Sequence, residues 1–184
     1  MIDLLITNAT IVTMDPNRRV LEDSAVAVDQ GKILAVGETR GLVETYQASE
    51  VIDAGNHLVM PGMVNTHFHL PQVLMRGIYD SVEALDKLKN YTWPIQGHYD
   101  KADALASAKL GLLEMIKSGT TTFLSTGLHP RYGIDDIAQA VVDSGMRAGL
   151  SKYIMDTNAY DLDKSALDPG MWETGEESLQ QAKD

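Results

Sequence analysis

The residues of this 184-residue chain best suited to chemistry are two histidines one residue apart, His67 and His69. They close the stretch Met63-Val64-Asn65-Thr66-His67-Phe68-His69, which begins apolar and ends polar. That is the profile of a buried parallel strand whose C-terminal end carries chemistry. In a strand, residues i and i+2 point to the same face. The two imidazoles then stand side by side, with Phe68 on the opposite face. Neutral imidazole binds Zn²⁺ at about 2.0–2.1 Å. The same pair suits iron, manganese or nickel. His-x-His by itself is a weak motif, because two half-buried strand histidines also arise by chance.

The surrounding pattern says which elements must position the pair. Residues 2–60 read as β-structure: runs at 4–6 and 10–13, a turn at Asp15-Pro16-Asn17, then runs at 25–28 and 33–36 around a four-residue hairpin loop, Asp29 to Lys32. Further runs follow at 51–54 and 57–60, and Pro61-Gly62 breaks the pattern. After the histidines, residues 70–100 form a long connection with a short helix over 81–91 that Trp93-Pro94 ends. Leu105, Ala108, Leu112, Met115 and Ile116 then mark one apolar helix face, with Asp100 as N-cap and Gly119 just past the end. Thr120 to Leu124 reads as a strand, and Ile134, Ile137, Ala138, Val141 and Val142 as a second helical stripe ending at Gly145. Residues 147–155 read as a third strand, 157–171 as irregular, and 173–183 as the start of another helix. From His67 the order is strand, helix, strand, helix, strand, which implies a parallel sheet with right-handed crossovers.

Composition removes several function classes. The net charge is −11, from 26 acidic against 15 basic residues. Nucleic-acid binding needs a basic face, so no nucleic-acid partner is expected. The chain has no cysteine, which excludes disulfides and thiolate metal sites and leaves His, Asp or Glu as ligands. This fits a reducing cytoplasm. The N-terminus lacks a basic n-region and meets Asp3 early, so no signal peptide is expected. No run of about 18 apolar residues exists, so no membrane span is expected either.

The segment PGMVNTHFHL is similar to the PGxxNxHxH signature of the metal-dependent amidohydrolase superfamily. GKILAVG, VIDAGNHLVMPG, LMRG, LLEMIKSGTTTF and GMRAGL match the same family in order, from residue 2 to about 155. The chain resembles most the branch of aminohydrolases and chlorohydrolases acting on nucleoside-like and triazine rings. The resemblance implies an α/β fold: the start of a (β/α)₈ barrel, about three βα units, preceded by part of a small β-sandwich. It places the sandwich part in residues 1–60 and the barrel part in 61–184. It implies one divalent metal ion, zinc first and iron second, held by His67, His69 and later residues outside these 184. It also implies metal-assisted hydrolysis of a carbon–nitrogen bond, or a carbon–chlorine bond, on a small heteroaromatic substrate. Homo-oligomers are common in the family, though nothing in the sequence locates an interface.

The resemblance also singles out residues on the substrate side. Gln72, Arg76, Trp93 and Gln96 fall where family members recognise substrate. Adenosine-type deaminases commonly carry Glu where this chain has Gln96, after Pro94-Ile95. An amide cannot make the charge-assisted bond of a carboxylate, which argues against a ribonucleoside. His129 follows the second strand and is placed at the barrel mouth by that geometry, against the alternative of a surface loop histidine. His57, His98 and Glu114 read as structural, and Arg76 as an ion-pair or loop anchor. No proton shuttle is assigned within the chain. Three βα units do not close an eight-stranded barrel, and two histidines under-coordinate a metal. The chain is therefore expected to be part of a longer enzyme, or else a truncated, non-catalytic remnant that serves as an interaction module.

Overall fold

The computed structural model describes residues 1–154, 171 and 173–183. The expected irregular stretch at 157–171 lies, except for Met171, outside the described residues, as does the last residue of the expected strand at 147–155. The chain divides into two compact units, Met1–Pro61 and Gly62–Asp184. The fold is mixed α/β. No helix among the described residues is long and apolar enough to cross a membrane.

The first unit is a mixed sheet carrying one short helix. Its elements are β1 (Ile2–Val12), β2 (Val20–Asp29), β3 (Lys32–Glu38), α1 (Thr39–Thr45), β4 (Ala48–Asp53) and β5 (Leu58–Val59). The strand order is β3-β2-β1-β4, with β5 also on β1. The β1–β2 and β2–β3 pairs are antiparallel, whereas β4 and β5 run parallel to β1. The expected runs at 4–6 and 10–13 are one strand. Asn8 sits at φ 57 and the register with β2 shifts there, so the two runs are joined through a bulge. Asn tolerates this left-handed conformation better than most residues. The hairpin loop is also tighter than expected. Only Gln30 and Gly31 separate β2 from β3, with φ of 49 and 70, the backbone of a type I′ turn. Ile2, Leu5, Ala25 and Ala27 pack against Leu42 and Tyr46. Ala9, Ile11, Val26 and Ala54 form a second cluster.

The second unit is a parallel sheet, β6 (Met63–Phe68), β7 (Thr120–Leu128) and β8 (Arg147–Lys152), in the order β6-β7-β8. Two long helices make the crossovers, α4 (Lys101–Lys117) and α5 (Ile134–Ser144). Between β6 and α4 lie a 3-10 turn (Leu70–Met75), α2 (Ala84–Lys87), a π-turn (Leu88–Thr92) and α3 (Trp93–His98). Trp93-Pro94 therefore does not end the helix: the right-handed helical backbone continues from the π-turn into α3, with the Trp93 N–H donating to the Leu88 carbonyl. The π-turn just before Pro94 is where the helix takes in a residue that has no N–H to donate. The last described element is α6 (Gly175–Gln181).

Asp100 caps α4 as expected: its Oδ1 accepts from the N–H groups of Ala102 and Asp103, at 2.7 and 2.9 Å. Such a cap contributes about 1 kcal/mol. The buried face of α4 is rotated from the expected one. Ala104, Ser107, Ala108, Gly111, Leu112 and Met115 are buried, while Ile116 is 46% exposed. Small residues explain the rotation. A Cβ on Gly111 would come within 2.9 Å of the Phe68 ring, so this helix face is bare enough to press on the strand that carries the histidines. In α5 the buried positions are Ile137, Ala140 and Val141, and Val142 is 69% exposed. These helices and the inner side of the sheet share one core, in which Leu70, Met75, Phe123, Leu128 and Tyr132 take part.

Candidate metal centre

His67 is the penultimate residue of β6 and His69 lies just past its end. Phe68, between them, turns the other way, into an edge-on contact with Phe123 at 6.2 Å between centroids. The strand thus buries its aromatic residue against the core and leaves both imidazoles on the opposite side. His67 is exposed and His69 half-buried. Their Nε2 atoms converge to 3.1 Å, with the ring planes 83° apart.

Several hydrogen bonds hold this strand end in place. Asn65 Oδ1 accepts from the backbone N–H of His67 at 3.1 Å. His69 Nδ1 lies 3.2 Å from the carbonyl oxygen of Thr126, in β7, and 3.2 Å from its Oγ1. Immediately downstream, the Leu70 N–H donates to Ser125 Oγ at 3.2 Å. Ser107 Oγ, on α4, donates to the Leu70 carbonyl at 2.7 Å and accepts from the Val73 N–H at 3.1 Å. These buried hydroxyls replace water for backbone groups that regular structure leaves unpaired.

The pair opens onto a depression of about 260 Å³ lined by His67, Phe68, His69, Gln72, Val73 and Arg76. An apolar groove of about 250 Å³, lined by Ile6, Ile11, Val26, Val28 and Met60 among others, belongs to the first unit and holds no ionisable side chain. Gln72 is therefore beside the histidines. Gln96 is not on the lining. It sits fully buried in α3, where its Oε1 accepts from Gln72 Nε2 at 3.4 Å and its carbonyl accepts from the Tyr132 hydroxyl at 3.0 Å. Its Nε2 has no partner among the described residues. Arg76 stands on the rim and makes a two-pronged pair with Glu114 on α4, at 2.9 and 2.6 Å. His57 and His98 each bond a nearby backbone carbonyl through Nδ1, at 2.9 and 2.7 Å, and take no part in this site.

His129 lies in a different neighbourhood. It follows β7, is buried, and its Nδ1 accepts from the Arg131 N–H at 3.3 Å. Its Nε2 is 3.3 Å from Glu173 Oε1, outside hydrogen-bond geometry. The other Glu173 oxygen takes a hydrogen bond of 2.5 Å from Lys152, at the end of β8. The Lys152 ammonium also donates to Ser178 Oγ at 2.7 Å and to the Tyr153 carbonyl at 2.8 Å, using all three of its protons. Burial pushes the His129 pKa below its ordinary value, and the nearby Lys152 and Arg131 charges act the same way against the pull of Glu173. For Glu173, burial favours the neutral acid, but the hydrogen bonds from Lys152 and Ser178 and the Lys152 charge outweigh it and lower the pKa. Burial likewise raises the Tyr132 hydroxyl. Neither Lys152 nor Glu173 is distinguishable by sequence from any other charged residue near an element end.

Two imidazole nitrogens on one tetrahedral zinc ion, at bonds near 2.05 Å, stand roughly 3.3 Å apart. The 3.1 Å separation of the two Nε2 atoms fits a shared cation. Among the described residues, no group of three or more His, Asp or Glu side chains comes together at one point.

The Amidohydrolase family profile matches residues 58–183. The chain is 38% identical over 150 residues to a 5'-deoxyadenosine deaminase of Methanosarcina barkeri, covering 82% of this chain and 33% of the relative. It superposes on a zinc-bound adenosine deaminase from Xanthomonas campestris with a TM-score of 0.84 at 27% identity, over 99% of this chain and 38% of that one. It superposes on a zinc-bound atrazine chlorohydrolase from Arthrobacter aurescens with a TM-score of 0.77, also at 27% identity, over 97% and 41% of the two chains. The chain thus spans about a third of the length of the curated relatives it matches. With the profile matched over most of its length and deaminases among its relatives, the chain belongs to the Amidohydrolase family.

Proposed function

We propose that the chain supplies the first part of a metal-dependent hydrolase that removes an amino group from a heteroaromatic ring. The observation that carries this reading is the convergence of His67 and His69 Nε2 to 3.1 Å at a strand end, in a chain of this family. In this reading residues 61–184 supply only the first βα units of a (β/α)₈ barrel, with β6, β7 and β8 as its first three strands, and residues 1–60 belong to a composite β-sandwich. Two features support the barrel. Among the described residues β6 and β8 each keep one edge without a strand partner, and Val64 and Leu124 are exposed on the face away from the helices. Both features suit a sheet that continues into further strands.

A divalent cation at the pair, Zn²⁺ or with similar ligands Fe²⁺, would supply Lewis-acid polarisation and a nucleophile at neutral pH. His67 and His69 provide two lone pairs, and a four-coordinate site takes further ligands beyond them. Phe68 and the α4 face behind it seal the strand end on the core side. Gln72 presents an amide to the depression, able to donate to or accept from a ring nitrogen or an exocyclic amine. Gln96, buried behind it, orients that amide and keeps an unpaired Nε2 donor. Neutral amides at Gln72 and Gln96, in place of a carboxylate, suit an aminated heterocycle with a reduced or absent ribose, a 5'-deoxyadenosine-like or triazine-like ring. His129 is engaged by its own neighbours, so we assign it a structural part. Without cysteine, the chain also suits a reducing cytoplasm.

The test is metal analysis of the intact protein and of His67→Ala, with ammonia release measured from 5'-deoxyadenosine, S-adenosylhomocysteine and an aminotriazine. Stoichiometric zinc that disappears in the variant, with release from at least one ring, is expected. Metal retained in full by His67→Ala would sink the ligand assignment. Tight metal without turnover on any ring would favour a non-catalytic remnant.

A further inference from the structure

The two histidines are equivalent in sequence, yet their far sides differ. His69 Nδ1 faces the Thr126 carbonyl and the Thr126 hydroxyl, each at 3.2 Å. Among the described residues His67 Nδ1 has no hydrogen-bond partner, and only the backbone N–H of His67 is held, by Asn65. A carbonyl oxygen only accepts, so the contact needs a proton on His69 Nδ1. With that ring neutral, His69 Nε2 is then a bare lone pair aimed at the pocket. Two bare lone pairs do not face each other at 3.1 Å. Where that contact stands as an N–H···N hydrogen bond in the metal-free protein, the proton between the rings sits on His67 Nε2.

We propose that Thr126 is a positioning residue that presets His69 as a metal ligand, leaving His67 as the ring that must change tautomer. The inference rests on the metal reading above. When a cation enters, His67 Nε2 gives up its proton to water and His67 Nδ1 takes one from water. The ring stays neutral and the proton count is unchanged. His69 changes nothing, because its proton already sits on the far nitrogen. Thr126 does its work through two oxygens, the carbonyl that dictates the tautomer and the hydroxyl that shares the same proton and fixes the ring's rotation. Outer partners of this kind set metal affinity by about 10–100-fold.

The experiment is long-range ¹H–¹⁵N correlation spectroscopy on the ¹⁵N-labelled, chelator-treated protein, at a pH where both rings are neutral, before and after one equivalent of Zn²⁺. The expected result is an Nδ1–H tautomer for His69 throughout, and for His67 a change from Nε2–H to Nδ1–H on zinc addition. An Nε2–H tautomer for His69 in the metal-free protein would overturn the proposal. The second arm measures zinc affinity by chelator competition in Thr126→Val and Thr126→Ser. The valine variant is expected to bind about 10-fold more weakly and the serine variant to recover, since it restores the hydroxyl. Unchanged affinity in the valine variant, or loss in both, overturns the assignment to Thr126. The metal reading fails separately: in that case zinc does not bind, whatever tautomers the metal-free protein displays.

Discussion

Around the ends of β6, β7 and β8 lie two groups of ionisable side chains, and the two have opposite fates. At β6, the Nε2 atoms of His67 and His69 converge to 3.1 Å beside an open depression. Close to the ends of β7 and β8, His129, Lys152 and Glu173 turn inward: Lys152 donates its three protons to Glu173, Ser178 and the Tyr153 carbonyl, and His129 Nε2 faces Glu173 at 3.3 Å outside hydrogen-bond geometry. Residue type does not separate the groups, since both contain histidine. Burial does. A buried charge is tolerated only when paired, and once paired it has little left to offer a ligand. The open pair differs: it keeps His67 Nδ1 without a hydrogen-bond partner among the described residues, which a chain tolerates at its surface.

The largest effect should follow from breaking the inward group. Lys152 and Glu173 side chains are 6% and 7% exposed. Lys152→Met leaves the carboxylate buried without its cation, a loss of about 3–5 kcal/mol. For a domain of this size that lowers the melting midpoint by roughly 10 °C. The double variant Lys152→Met, Glu173→Met should recover more than half of the loss, because an apolar pair of similar volume often matches a buried ion pair. If the single variant melts with the parent, the cluster is not the buried fastening described here, and the contrast with the histidine pair collapses.

Next in size is His69→Ala. Removing a ligand exceeds removing an outer partner, so zinc affinity should fall by more than about 100-fold in chelator competition. The melting midpoint of the metal-free protein should hardly move, since the ring fills no core. A large fall in metal-free stability would place the pair with the inward group instead.

Acid should separate the groups by a smaller margin. Burial depresses the His129 pKa, so the unfolded chain takes up a proton first as pH falls below the ordinary histidine value of 6.5. Glu173 is also depressed relative to its ordinary 4.5, so its contribution is present above that value and lost as pH falls through the folded pKa. Both signs agree: stability against urea should drop from pH 7 to 5 and more steeply below. His129→Gln should flatten the upper part of that fall and leave the lower part. An unchanged slope in the variant would remove His129 from the titrating group.

How much of this was legible in the sequence depends on the span of the interactions. The His67–His69 pair is local: two residues apart in a strand share a face whatever surrounds them. The Asp100 cap and the left-handed Gly145 are local too. Thr126 was invisible because it meets His69 across 57 residues of sequence, and only the β6–β7 register brings them together. The buried face of α4 departs from the apolar pattern for another reason. Ala104, Ser107 and Gly111 carry little hydrophobic signal, yet they mark where the helix presses closest, while the stronger signal of Ile116 faces solvent. Pro94 reads as a stop because proline breaks the α-helical hydrogen-bond ladder, and only the π-turn ahead of it lets the helix continue. His129 was recognisable as a candidate by type, but its surroundings come from β8 and from the segment before α6, remote in sequence.

The smallest effect sharpens the comparison most, because it holds the chemistry constant. Arg76 and Glu114 form an ion pair with two short hydrogen bonds, at 2.9 and 2.6 Å, on the rim of the histidine depression. The hydrogen bonds and charge of Arg76 hold the Glu114 carboxyl below its usual range. By contact geometry this pair rivals Lys152 with Glu173. Its side chains are 66% and 41% exposed, however, and water and salt screen what burial would amplify. Arg76→Met should therefore leave the melting midpoint within measurement scatter, at low and at high salt. A fall comparable to that of Lys152→Met would mean that pairing geometry, and not burial, decides which charged groups at these strand ends are fastenings. The division between an open pair and a closed cluster would then have to be redrawn around contact distance.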